Sequence, residues 1–136
     1  MTRILMVCLG NICRSPLAEG ILKSKLPNNL FQIDSAGTSN YHIGDLPDQR
    51  SIKIANEFNI DITNQRGRQF SVKDFDNFDI IYAMDNSNFE NIINLARDKA
   101  DKSKVKLIMN EIYQDQNFDV PDPYSCLLYT SPSPRD

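Results

Sequence analysis

Arg3-Ile4-Leu5-Met6-Val7-Cys8-Leu9-Gly10-Asn11-Ile12-Cys13-Arg14-Ser15-Pro16 is the stretch whose reading decides the fold. From Ile4 to Cys8 the run is apolar without interruption, too continuous for a strand with one wet face, and turn residues follow at Gly10-Asn11. This predicts a buried strand of a parallel sheet. Ser15-Pro16 then opens a segment with Leu17, Ala18, Ile21, Leu22 and Leu26 at helical spacing. Proline is tolerated in a first helical turn, and Glu19 falls near the helix start. Strand, tight loop and helix in that order begin a β-α-β unit.

Outward from this stretch, Pro27-Asn28-Asn29 breaks the helix and Phe31 to Ser35 reads as a second strand, ending at Ala36-Gly37. Pro47 to Phe58 has a helical stripe of Ile52, Ile54, Ala55 and Phe58, and a polar, basic loop follows through Gln65-Arg66-Gly67-Arg68-Gln69. Phe78 to Met84 is the third strand, Asp85 to Ala96 a helix capped by Asp85 or Ser87, and Val105 to Met109 the fourth strand. The alternation predicts an α/β fold: a single-domain, doubly wound sheet of four parallel strands with flanking helices. Ligands in such folds bind beyond the carboxyl ends of the strands, where Cys8 through Ser15 fall.

Composition sets limits on partners. The 136 residues carry 15 Lys plus Arg against 18 Asp plus Glu, a net charge of −3 with a pI near 5.1. That balance argues against nucleic acid or anionic lipid held by charge alone, so neither nucleic acid nor membrane is expected as a partner. The apolar run Ile4 to Leu9 is much shorter than a spanning helix, and no targeting segment is read. Cys8, Cys13 and Cys126 are an odd number without zinc-ligand spacing, so neither a disulfide framework nor a metal is indicated and a reducing cytoplasm is the expected location.

The chemistry sits in Cys8-Leu9-Gly10-Asn11-Ile12-Cys13-Arg14-Ser15. Loop N–H groups turned inward make an anion-binding nest, a helix N-terminus adds partial positive charge, and the planar fork of Arg14 can grip two phosphate oxygens. The same field favours the thiolate of Cys8, and a thiolate facing a bound phosphate monoester is poised for in-line attack. Gly10 and Asn11 are the residue types best able to adopt positive φ, which such a loop needs, and the Ser15 hydroxyl can donate to the sulfur. Read by spacing alone, Cys8 remains open to being a core thiol and Arg14 a surface cation.

With these residues goes a resemblance: Val7 to Pro16 resembles the phosphate loop of the low-molecular-weight protein tyrosine phosphatases. Asp34-Ser35-Ala36-Gly37-Thr38, Pro47-Asp48-Gln49-Arg50, Gly67-Arg68-Gln69, Ala83-Met84-Asp85-Asn86-Ser87-Asn88 and Val120-Pro121-Asp122-Pro123-Tyr124 fall in that family's order at similar spacing. The resemblance implies a phosphatase domain over residues 1–124 that hydrolyses phosphotyrosine and small aryl phosphates, with inorganic phosphate as product and no cofactor. It implies Cys8 as nucleophile, Leu9 to Ser15 as the phosphate-binding loop with Arg14 as clamp, and Asp122 as the general acid that later activates water. Pro121 and Pro123 stiffen the backbone on either side of Asp122. The resemblance also implies that Asn11, Ser15, Ser35 and Asp85 support the loop from behind, although for Ser35 and Asp85 a turn or capping role stays open.

Tyr41 and Tyr124 match the aromatic walls of the family, and Leu9 and Ile12 add an apolar floor. Relatives acting on phosphoarginine tend to carry Thr where this chain has Ile12, so the resemblance favours phosphotyrosine. His42, the chain's one histidine, reads as a rim residue beside Tyr41 rather than a base. The resemblance further implies a reversible disulfide between Cys8 and Cys13 that caps an oxidised sulfur; a small side chain packing under the loop is the other reading of Cys13. Gln65 stands where the family commonly has histidine. Residues 125–136 resemble nothing in the family and read as a disordered or non-native tail in place of its C-terminal helix. Two further functions stay open: an arsenate reductase of the same fold, for which no relay cysteine stands between Cys13 and Cys126, and a phosphotyrosine-binding or redox-sensing protein with little turnover.

Overall fold

In the computed structural model, which describes residues 1–111, the apolar run forms the strand β1, Thr2–Cys8, at an inner position of the sheet. The helix α1, Arg14–Lys25, crosses to β2, Phe31–Gly37; then come α2, Gln49–Glu57, and the short α3, Asp74–Asn77. β3, Ile80–Ala83, α4, Asn86–Leu95, α5, Lys99–Lys104, and β4, Val105–Leu107, complete the order, followed by a 3₁₀ turn at Ile108–Glu111. The four strands lie in the order β2-β1-β3-β4 and every pair is parallel, as the alternating sequence implied.

Register explains why the β1 sequence does not alternate. Leu5 and Val7 enter one core with Ala36, Phe70, Phe75, Ile81 and Ile92, while Ile4, Met6 and Cys8 enter the opposite one with Ile33 and Met84. Both faces of β1 are therefore dry, and both must be apolar. On the second face Ala18, Leu22 and Leu26 of α1 pack against the core, which places Cys8 on the side of the sheet that α1 covers.

Two elements escaped the sequence reading. α3 is a single turn, and α5 has the sequence Lys-Ala-Asp-Lys-Ser-Lys with no apolar stripe. A cap was the available signal for α5, since the Asp98 side chain accepts the Asp101 N–H at 2.9 Å. Strand ends also fall short of the expectation at β3 and β4, whose last expected residues turn away once pairing stops. Asp85, not Ser87, caps α4 by accepting the Asn88 N–H.

Beyond the free edge of β2, the segment around Gln69 pairs with the strand's last residue: Arg68 O accepts the Gly37 N–H at 2.8 Å and Gly37 O accepts the Phe70 N–H at 2.7 Å. Gly37 has no room for a side chain. A Cβ there would lie 2.7 Å from Leu9 O and 3.0 Å from Asn11 N, both backbone atoms of the loop after β1. Gly37→Ala should therefore push that loop outward and cost about 1–3 kcal/mol in urea unfolding. A variant as stable as the parent would show that the loop yields freely.

Candidate active site

Cys8 ends β1 just before the loop that leads into α1, and it is only 3% exposed. Its Sγ accepts the Asn11 N–H at 3.2 Å and lies 3.0 Å from Ser15 Oγ. Asn11 Nδ2 donates to that same Ser15 oxygen at 2.9 Å, so the hydroxyl proton is available to the sulfur.

The loop's peptide groups are oriented by what holds their carbonyls. Those of Cys8, Leu9 and Ile12 accept the backbone N–H of Thr38, Ser39 and Asp48 at 2.9, 2.9 and 2.6 Å, and that of Cys13 accepts the Ser51 hydroxyl at 3.3 Å. All four donors stand outside the loop. A trans peptide sets its N–H opposite its C=O, so the N–H groups of Leu9, Gly10, Cys13 and Arg14 aim away from these donors, toward the loop's interior. With the twelve-residue α1 behind them, they form a nest suited to an anion. Asp48 serves twice: it anchors Ile12 and it caps α2, where the Arg50 guanidinium beside it holds its carboxyl below the usual carboxylate range.

Asn11 takes the left-handed backbone, at φ 58°, and Gly10 does not, contrary to the expectation that named both. At position 10 a side chain would meet the imidazole of His42, whose Cδ2 would lie 3.0 Å from a Cβ there. The unusual Asn11 conformation is locked through its amide. Nδ2 donates to Ser15 Oγ and to Ser35 Oγ, each at 2.9 Å, and Oδ1 accepts the Arg68 N–H at 3.0 Å. Ser35 Oγ donates to Glu19 Oε1 at 2.6 Å, and Glu19 Oε2 accepts from Lys23 at 2.6 Å.

Glu19, read from the sequence only as an acidic residue near the helix start, was missed as a site residue. In the structure Glu19 is 3% exposed, and a buried carboxylate must be satisfied by strong donors. It closes a chain of hydrogen bonds running from Lys23 through Ser35, Asn11 and Ser15 to the sulfur. Gln65, at the position where histidine was expected, donates from Nε2 to Pro16 O at 3.0 Å and so steadies the first turn of α1.

Arg14 is buried, and its Nη1 lies 3.0 Å from Asp85 Oδ2. The other Asp85 oxygen accepts the Asn88 N–H at 2.7 Å, so one carboxylate both caps α4 and steers the guanidinium. Cys8, Leu9, Gly10, Ile12, Cys13, Arg14, Tyr41 and His42 line one pocket. Leu9 and Tyr41 are 48% and 76% exposed, placing them at its mouth, where Leu9 acts as rim and not as floor. Cys13 is a buried cysteine lining the same pocket as Cys8. Asp122, Tyr124 and Cys126 lie outside the described residues.

Among the described residues no helix is long and apolar enough to cross a membrane, and no cluster of His, Cys, Asp and Glu is disposed to hold a metal. A family profile, low molecular weight phosphotyrosine protein phosphatase, matches residues 3–128. A protein of that name from Dictyostelium discoideum is 40% identical, over 90% of this chain and 79% of its own. The crystal structure of YfkJ from Bacillus subtilis is 37% identical with a TM-score of 0.84, covering 91% of this chain and 80% of that one. A structure described as a Drosophila arginine phosphatase is 34% identical with a TM-score of 0.81, covering 91% of this chain and 81% of that one.

Proposed function

Given that the chain belongs to the low molecular weight phosphotyrosine protein phosphatase family, we propose that it hydrolyses phosphotyrosine and small aryl phosphate monoesters through a cysteinyl-phosphate. The observation that carries this reading is Cys8 Sγ held at 3.2 Å by the Asn11 N–H and at 3.0 Å by Ser15 Oγ, within a loop whose peptide N–H groups aim inward. Nest, α1 N-terminus and Arg14 gather the phosphate oxygens, and the thiolate attacks phosphorus opposite the aryl oxygen. The P–O(aryl) bond breaks as the P–S bond forms. Asp122 gives its proton to the departing phenolate, and its carboxylate then takes a proton from the water that attacks phosphorus. Inorganic phosphate leaves and the thiolate is regenerated.

Tyr41 and Tyr124 flank the phenyl ring in this scheme. Ile12 presents an apolar side chain to the pocket and offers no polar partner to a guanidinium, which favours phosphotyrosine over phosphoarginine. Oxidation of Cys8 in a cytoplasmic setting would be capped reversibly by Cys13. The test of the reaction scheme is p-nitrophenyl phosphate hydrolysis at mildly acid pH by the parent and by Asp122→Ala. General acid help is worth roughly 10² to 10⁴, and p-nitrophenolate leaves readily, so kcat should fall by about 10²-fold and further with phenyl phosphate. Equal loss on both substrates would remove Asp122 from the acid role.

A further inference from the structure

His42 is the one polar side chain of the pocket that this scheme leaves without a task, and its position is tightly specified. The segment carrying it closes on itself, with His42 O accepting the Asp45 N–H at 3.0 Å and Gly44 at φ 85°, a backbone conformation that favours glycine. Gly44 and Asp45 are tied to Gly67 by two backbone hydrogen bonds of 2.8 Å. A Cβ on Gly67 would come within 2.2 Å of His42 O, so this contact also admits no side chain. The neighbouring Arg68 N–H bonds Asn11, which couples the same support to the phosphate loop.

The ring's orientation follows from its two neighbours. Nδ1 lies 3.0 Å from Asp45 Oδ2, and a carboxylate there accepts the Nδ1–H and fixes the ring's orientation. The opposite edge, Cδ2 and Nε2, lies over Gly10, at 3.0 and 3.8 Å from the position of a Cβ on that residue. Nε2 therefore stands beside the anion nest. Charge balance supplies the need: a phosphate dianion facing the Cys8 thiolate brings three negative charges. Among the described pocket residues Arg14 is the fixed cation, and it already faces Asp85. On the ring's own segment the charged group facing it is Asp45; Asp48, which anchors the loop at Ile12, is paired with Arg50.

Resting on the phosphatase reading, we infer that His42 is a substrate-binding residue whose imidazolium, oriented by Asp45, donates its Nε2–H to the phosphate group in the nest. The phosphate site then has two cations, one permanent and one that exists only while the ring is protonated. A ring whose Nδ1–H faces Asp45 can donate from Nε2 only when both nitrogens carry protons, so the second cation is lost on deprotonation.

Sulfate is the probe, because it remains a dianion throughout and any pH effect belongs to the protein. Because the chain has one histidine, its imidazole ¹⁵N signals need no assignment. Sulfate at pH 5.5 should shift the Nε2 signal more than the Nδ1 signal. His42→Asn should weaken sulfate at pH 5.5 by about five- to tenfold, the scale of one partly exposed charge-assisted hydrogen bond. The difference between variant and parent should shrink to less than about twofold at pH 8. Saturating sulfate that leaves the Nε2 signal of the parent unmoved overturns the inference, whether or not the variant folds. So does a His42→Asn affinity within about twofold of the parent at pH 5.5. Sulfate binding is read by NMR without turnover, so a failure of the phosphatase reading would show separately, as absence of Cys8-dependent hydrolysis.

Discussion

Cys8→Ser is expected to reduce p-nitrophenyl phosphate hydrolysis to background, a loss on the order of 10⁵-fold or more, while leaving the protein folded and able to hold sulfate. The substitution exchanges one atom at a position 3% exposed, where Ser15 Oγ and the Asn11 N–H offer hydrogen bonds to oxygen as readily as to sulfur. What changes is nucleophilicity. A serine hydroxyl is a far weaker nucleophile than a cysteine sulfur, and the hydrogen bonds at this position, to Ser15 Oγ and the Asn11 N–H, supply no histidine base to activate it. Sulfate binding should persist because nest, α1 N-terminus and Arg14 are untouched. Residual turnover above about one per cent of the parent would mean that another group attacks phosphorus.

Arg14→Lys is the second large effect, with kcat/KM falling by roughly 10³- to 10⁴-fold despite conserved charge. The guanidinium is a rigid fork whose donors match two equatorial phosphate oxygens, and it is aimed by Asp85 at 3.0 Å. An ammonium reaches Asp85 or the phosphate as a point charge and cannot present two parallel N–H groups to the transition state. Removing a single preorganised donor from such a site costs about 10² to 10³, and two are lost here. The pair is largely buried, with side chains 6% and 19% exposed, so solvent would not replace the missing donors. The check is steady-state kinetics alongside sulfate affinity. A lysine variant within tenfold of the parent would reduce Arg14 to a plain electrostatic role.

Several features of the site were written into short stretches of chain. A run that must be dry on both faces, a turn pair, and a proline-bearing helix start place Cys8, the loop and Arg14 in one strand-loop-helix unit. Ser15 falls within reach of the sulfur because one loop and the first residue of α1 separate them. Asp85 was legible as a cap, since an aspartate before a helix bonds its N–H groups wherever the helix lies.

The alternating pattern of strands and helices by itself determined the parallel sheet, and with it the end of the sheet from which the loop after β1 projects. Only the tertiary structure decided which partners that end receives. Arg14 meets Asp85 across 71 positions, and Asn11 meets the Arg68 N–H across 57. Glu19 turns from an apparent surface charge into a buried carboxylate because α1 lies against Ser35 of β2. His42 lies over Gly10 and, on its backbone side, against Gly67, where no side chain fits. Local chemistry sets which conformations a segment can adopt, whereas the identity of a buried polar group's partner depends on which segments the crossovers bring into contact. No period or motif in the chain encodes that distance.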